Sequence, residues 1–345
     1  RLERLSLDVT EPFTHQAGGS RVIVRGQDGT VCKPCSSREA WFYENVAKNE
    51  SMAGLTPRCF GLRAMPMCGE GDTSESGVLL QDLTHGYSFP CVLDVKMGVC
   101  TAAPDRSEKK RARCEGKDKV TTTGSIGARV CGLRAYQILC PHKLRRDSCP
   151  LCKEVALATG QAGTCDVNSD YVHFDKHWGK ALKFHQFAAA IQAFFHNGRR
   201  VRRRIAGLML ERLRPIAAMI ESSDYKFYAS SVLFVYEGAE DDTEVEHELE
   251  LADDTATIHV RMIDFAHVFP ISDIDKGDTS YLCGLENLMN VLQGIAQGTS
   301  AEDINLENHT ENCALHRHCK CAKGASAREL DKQVRRRREL DKHAP

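Results

Sequence analysis

The sequence predicts an α+β fold on three observations. Strand-like segments recur along the chain, at residues 21–25, 30–33, 78–80, 92–96 and 231–236. Segments with apolar positions at helical spacing accompany them, at 181–197 and, after the last strand, at 284–292. The chain has 345 residues, 42% hydrophobic and 27% charged, enough to bury a sizeable core in one large domain or two lobes.

Taken in order, 21–25 and 30–33 read as strands around the turn Gln27-Asp28-Gly29. Ser36-Ser37-Arg38-Glu39 opens a helix with a capping signature, and Trp41, Phe42 and Val46 form its apolar face. Residues 78–80 form a short buried strand. Residues 92–96 form another, with Asp94 and Lys96 on one face because side chains alternate. Residues 107–119 are polar and helical, and 128–139 return to strand. Residues 181–197 form a helix ended by Asn197-Gly198. A second helix covers 199–221, with Pro215 as a kink. Strands at 231–236 and 257–263 and a closing helix at 284–292 complete the plan. Loop-like inserts interrupt it at 140–170, rich in cysteine, and 238–256, rich in acid. Beyond 300 the apolar content falls, and Arg335–Arg338 sit in a charged tail.

No apolar run reaches the length of a membrane span. The N-terminus carries no charged start followed by an apolar core, so no signal peptide is expected, and the start at Arg1 reads as trimmed. With sixteen cysteines and no export signal, reduced thiols or metal ligands are expected in an intracellular, cytoplasmic or nuclear setting. A net charge of −1 hides segregation: residues 101–150 carry +7, 199–214 carry +6, and 237–278 carry −12. The basic stretches suit a polyanionic partner, whether nucleic acid, membrane lipid or a phosphorylated small molecule, or else solvated helix faces.

No Walker motif is present, and Gly69 and Gly71 fit no phosphate-loop pattern. Lys33 ends a strand, and a helix carrying Glu39 and Glu44 follows, an order that allows a lysine–glutamate pair aimed at nucleotide phosphates. Asp264 ends an apolar strand, where a magnesium ligand is held rigidly. Each feature alone also fits a surface residue.

Together with further segments they resemble the inositol polyphosphate kinases. Pro90-Cys91-Val92-Leu93-Asp94-Val95-Lys96-Met97-Gly98 matches that family's PxxxDxKxG signature. Ser230-Ser231-Val232-Leu233 resembles its SSLL segment, and Ile263-Asp264-Phe265-Ala266-His267 its IDF motif in the DFAH form. The opening segment from Glu11 to Gly19 resembles the inositol hexakisphosphate kinase branch. So do Val31-Cys32-Lys33-Pro34, Arg129-Val130-Cys131-Gly132-Leu133, Phe195-His196-Asn197-Gly198 and the segment from Tyr225 to Ser231. The similarity runs from about residue 11 to about 297, with two interruptions.

The resemblance implies a two-lobed fold of protein-kinase or ATP-grasp type, with ATP in the inter-lobe cleft. Residues 1–85 would form the N-terminal lobe, 86–300 the C-terminal lobe with its two inserts, and 301–345 a tail. The activity implied is phosphorylation of inositol hexakisphosphate to a diphosphoinositol pentakisphosphate. The alternatives are a multikinase acting on hydroxyls of lower inositol phosphates, or a non-catalytic inositol phosphate receptor. The implied partner is a small inositol phosphate, with no nucleic acid. Lys33 would touch ATP phosphates and Glu39 would hold it. Gln81-Asp82-Leu83 would be the hinge, with Gln81 where the family more often has an acidic residue. Asp94 would contact ribose, Lys96 would bridge acceptor and transferred phosphate, Asp264 would bind magnesium with Ser231 nearby, and His267 would face the acceptor.

The chemistry agrees with those roles. A phosphate acceptor is already anionic, so the obstacle is repulsion between polyanions, and catalysis rests on positioning, metal and cations. Lys110, Arg113 and Lys117 recur at helical spacing, and Arg129 follows on a strand. Part of the run Arg199–Arg204 is expected to face solvent. Cys32, Cys91, Cys100 and Cys131 read as small core residues. Cys140, His142, Cys149 and Cys152 make a C-x-H-x6-C-x2-C candidate for structural zinc, and Cys313, His316, His318, Cys319 and Cys321 a second.

Overall fold

Two antiparallel sheets face one another across a cleft. The structure is a computed structural model, and it describes residues 12–18, 22–65, 75–138, 164–165, 170–239, 258–271 and 276–307. The first sheet has four strands: β1 (Val24–Arg25), β2 (Thr30–Pro34), β3 (Cys59–Met65) and β4 (Glu75–Gln81), in the order β1-β2-β4-β3. Helix α1 (Ser37–Asn45) follows β2 directly.

The second sheet has six strands: β5 (Pro90–Met97), β6 (Ala128–Tyr136), β7 (Thr164–Cys165), β8 (Tyr171–Phe174), β10 (Ser231–Glu237) and β11 (Ile258–Ile263). Their order is β11-β10-β5-β6-β8-β7, which puts β5 between β10 and β6. Every residue of β5 except Lys96 is buried, as expected for a strand covered on both faces. A two-stranded ribbon pairs β9 (Tyr225–Phe227) with β12 (Val268–Pro270).

Helices α2 (Glu108–Val120) and α3 (Thr122–Ile126) connect β5 to β6. Helices α4 (Lys176–Ala181), α5 (Phe187–Phe194), α6 (Arg203–Glu221) and α7 (Thr279–Gln297) supply the rest of the helical packing. α6 and α7 pack together, burying Met209, Leu213 and Ile216 on one and Leu288, Leu292 and Ile295 on the other. One continuous apolar cluster runs from Val31 and Phe42 through Leu93 and Val95 to these helices. Burial of this kind supplies most of the drive to fold.

The sequence reading named no strand at β3, β8, β9 or β12, and it parts company with the structure at further places. The helix expected at 181–197 is broken: α4 ends at Ala181, Leu182 is extended and buried, and α5 starts only at Phe187 after a 3-10 turn. Apolar spacing reports which residues are buried, and here it continues through a break in the helical hydrogen bonds. Helix α6 starts at Arg203 rather than 199. The Asn197 side chain accepts hydrogen bonds from the backbone of Arg199 and Arg200 at 3.0 Å each, which holds that stretch in a turn. The closing helix is longer than 284–292, because Asp278 caps its start and Gly298 its end. The region 140–170, read as loop, contributes the short strand β7. Arg202, within a run expected to be partly solvated, is buried. It donates to the Glu237 carbonyl at 2.8 Å and lies over the Tyr236 ring. Cys32, Cys91 and Cys131 are buried as expected, and Cys100 is half-buried. Residues 301–307, expected to belong to the tail, instead fold back on α7, where Asn287 bonds the Glu307 backbone and Ile304 lies against Gly294. Glu11, both candidate zinc clusters, the acidic insert from 240 to 256 and the tail from 308 on lie outside the described residues.

Candidate active site

The cleft has a volume of about 1020 Å³, and its wall is built from both sheets and α1. At its centre lies an ion triad. Ser36 caps α1, its Oγ accepting from the Glu39 backbone at 3.2 Å. That cap fixes Glu39 in the first turn, six residues after Lys33. The Lys33 ammonium then donates to Glu39 Oε1 at 2.8 Å. It also donates to Asp264 Oδ1, from the end of β11. Glu39 Oε1 accepts in addition from the Phe265 backbone at 3.3 Å, so one carboxylate ties α1 to both other elements.

Asp264 sits at φ +67°, a left-handed conformation that costs a non-glycine residue on the order of 1 kcal/mol. Packing holds it there. The Phe265 ring is fully buried and stacked on Phe42 of α1, centroids 3.9 Å apart. Burial alone would discharge Lys33, yet Asp264 and then Glu39 outweigh it and hold the ammonium well above its ordinary pKa. Burial likewise opposes charge on Asp264, and Lys33 and then Lys96 overcome it, leaving that carboxylate below its ordinary range.

Asp94 and Lys96 of β5 project into the same cleft. Asp94 is buried, and its Oδ1 has no hydrogen-bond partner among the described residues; the same holds for Ser231 Oγ. Burial raises the Asp94 carboxyl to about 6, Lys96 pulling it down and Asp264 adding to the rise. The segment 13–18 closes over this carboxylate. A Cβ at Gly18 would collide with the Asp94 side chain, so only glycine allows the approach. Lys96 donates to the Ala229 carbonyl at 2.5 Å, and Ala229 is itself left-handed at φ +57°.

Lys96 also lines a second cavity of about 450 Å³, together with Thr101, Arg106, Arg113, Lys117 and Lys180. Lys117 donates to Thr101 Oγ1 at 3.2 Å. Burial, and then the repulsion of Arg129 and Lys96 against the pull of Asp118, keep its pKa below the ordinary value. Arg129 is buried in the larger cleft with Nη1 unpartnered among the described residues. The structure thus gathers Lys96, Arg113, Lys117 and Arg129. Lys110 is exposed and lines neither cavity.

Sequence reasoning missed Arg106 and Lys180. Arg106 stands one residue before the Ser107 cap of α2 and outside the helical spacing that singled out the other cations. Lys180 comes from α4, whose Lys176 and Lys180 share a face and both line the larger cleft. Their i, i+4 spacing was the available signal. Helix α4 lies close on β6 because Gly179 has no side chain to meet the Val130 carbonyl.

At the other end, Leu80, Asp82, Leu83 and Thr84 line the cleft and Gln81 does not. Gln81 turns to the Arg58 backbone. Asp82 folds over its own turn, accepting from Thr84 N at 2.8 Å and Thr84 Oγ1 at 2.6 Å. His267 lines the cleft and its Nδ1 meets both Asp105 oxygens, at 2.9 and 3.0 Å. Among the described residues no group of three His, Cys, Asp or Glu side chains is placed to hold a metal ion, and no helix is long and apolar enough to cross a membrane.

The cleft joins a lysine–carboxylate triad to a cation-lined cavity, and comparisons with known proteins give the chain a family. The inositol polyphosphate kinase family model matches residues 77–293, and the chain belongs to that family. Human inositol hexakisphosphate kinase 3 is 32% identical over 239 residues, covering 64% of this chain and 52% of the relative. Inositol hexakisphosphate kinase 2 of Mus musculus is 33% identical over 247 residues, covering 64% and 49%. The chain therefore spans about half the length of the curated relatives it matches. Among solved structures, an inositol phosphate multikinase from S. cerevisiae in complex with ADP and Mn2+ aligns with a TM-score of 0.59 at 22% identity, over 77% of this chain and 98% of that one. The fold is the two-lobed one expected.

Proposed function

We propose that the chain is an ATP-dependent kinase that phosphorylates inositol hexakisphosphate to a diphosphoinositol pentakisphosphate. The observation that carries this reading is Lys96, which lines both the cleft of the ion triad and the cation-walled cavity. One lysine at the junction suits a phosphoryl group passing between two anionic substrates. The names of the relatives support inositol hexakisphosphate as the acceptor.

In this reading residues 1–85 form the ATP-side lobe and 86–300 the acceptor-side lobe. Lys33, held by Glu39, meets the ATP phosphates. Leu80, Leu83 and the backbone around Asp82 hold the base, and Asp94 the ribose. Lys96, Arg106, Arg113, Lys117, Arg129 and Lys180 hold the acceptor phosphates, with His267 beside them. The carboxylates fit a divalent cation. Asp264 lies at the cleft wall, Asp94 offers an unpartnered oxygen, and the shell would be completed by phosphate oxygens and water. When bound, magnesium neutralises charge developing on the transferred group. Because the acceptor oxygen is already anionic, what the protein itself must do is align two polyanions and offset their repulsion. The cysteine and histidine residues at 140–152 stay a proposed zinc site, tested by metal content of protein prepared without chelator.

The test is turnover of magnesium-ATP with a panel of purified inositol phosphates. Consumption of the hexakisphosphate in preference to lower members is expected. Preference for acceptors with free hydroxyls would favour a multikinase, and binding without turnover a receptor.

A further inference from the structure

Asp105 is an acidic residue in a cation-lined cleft, and the ion triad makes no use of it. It lies in the segment between β5 and α2, largely exposed, and both its oxygens meet His267 Nδ1. Partial burial opposes its charge, yet His267 and then Arg38 hold it below the ordinary carboxylate range, so it is ionised. An ionised carboxylate only accepts hydrogen bonds, and Nδ1 must therefore carry the proton. With the proton on Nδ1, the ring in its neutral form carries its lone pair on Nε2, which has no partner among the described residues. Arg38 of α1 backs the pair: its Nε stands 3.8 Å from Asp105 Oδ2. Arg38 is anchored in turn by the Val268 carbonyl at 3.4 Å and by the Phe269 ring 4.2 Å from its guanidinium.

We propose that Asp105 is a positioning residue for His267, fixing the imidazole with its proton on Nδ1 and its Nε2 lone pair toward the acceptor. This rests on reading the cleft as a phosphotransfer site. It also has a consequence for acceptor choice. A phosphate acceptor has no proton to lose. A hydroxyl acceptor does: as its oxygen bonds to the terminal phosphorus of ATP, the bond to the bridging oxygen breaks, ADP departs with the electron pair, and the hydroxyl proton passes to Nε2 and then to solvent. Asp105 therefore matters for a hydroxyl acceptor and little for a phosphate one.

The protonation state is read by long-range proton–nitrogen NMR of histidine-labelled protein at alkaline pH, the His267 signals being assigned by their loss in His267→Gln. Wild-type protein should show protonated Nδ1 and unprotonated Nε2, and Asp105→Ala should move the proton to Nε2. A wild-type ring protonated on Nε2 overturns the proposal, with no need of a variant that folds. In turnover, Asp105→Ala should lower kcat at least ~10-fold with an inositol pentakisphosphate carrying one free hydroxyl. It should leave KM for ATP and the rate with the hexakisphosphate nearly unchanged. It should add no further loss in a His267→Ala background. Equal losses with both acceptors, or additive losses in the double variant, would also overturn it. A wild-type protein that turns over neither acceptor counts against the kinase reading, and the NMR result then decides Asp105 by itself.

Discussion

Replacing Asp264 by Asn removes one of the two anions that Lys33 contacts and leaves the other. The Lys33–Glu39 pair at 2.8 Å survives, so the buried ammonium keeps a charged partner, and the Asn carbonyl can still accept from it. The cost to folding is that of weakening one charged hydrogen bond, on the order of 1–2 kcal/mol. That corresponds to a fall in melting temperature of a few degrees for a domain of this size. Phe265 stays stacked on Phe42, so the local backbone is retained. The catalytic cost is far larger. A metal at the transferred phosphate stabilises developing charge by several kcal/mol, and a loss of ~4 kcal/mol is about a thousandfold in rate. The assay is magnesium-dependent ADP release together with a melting curve. Near-wild-type turnover at an unchanged melting temperature would refute the reasoning.

Three further outcomes follow from the geometry. Neutralising Arg113 and Lys117 should raise KM for the inositol phosphate, leave that for ATP unchanged, and be mimicked by salt, whereas Lys110→Ala should do neither; equal effects on both substrates would place the cavity wrongly. Asp94 has a folded-state pKa of about 6 against an ordinary 3.8, so the ligand-free protein is more stable below about pH 4 and loses that contribution as pH rises through about 6; about 3 kcal/mol is at stake at pH 7, and Asp94→Asn should gain in melting temperature relative to wild type as pH rises, a narrowing gap being the contrary result. Ala229→Gly should relieve the left-handed strain and stabilise by up to about 1 kcal/mol, read as a higher melting temperature with Lys96 function retained.

What the sequence made legible was the chemistry carried by short, contiguous segments. Asp94 and Lys96 share a face because a strand alternates, and the structure has both in the cleft. The Ser36 cap placed Glu39 where Lys33 could reach it. Gly18, legible only as part of a motif, acquires a reason in its contact with Asp94. What was not legible depends on partners remote in sequence. Asp105, His267 and Arg38 are far apart along the chain and meet only once β12 and α1 are packed. Lys180 joins the cations through the docking of α4 on β6. The broken helix near 182 shows the same limit, since burial kept the apolar spacing where the backbone left the helix.

The most direct test of the central claim is phosphorus NMR of the product formed from inositol hexakisphosphate, ATP and magnesium. The account predicts a diphosphate linkage on the inositol ring, formed in step with ADP and lost in Lys96→Ala. Release of inorganic phosphate with the hexakisphosphate unchanged would contradict it.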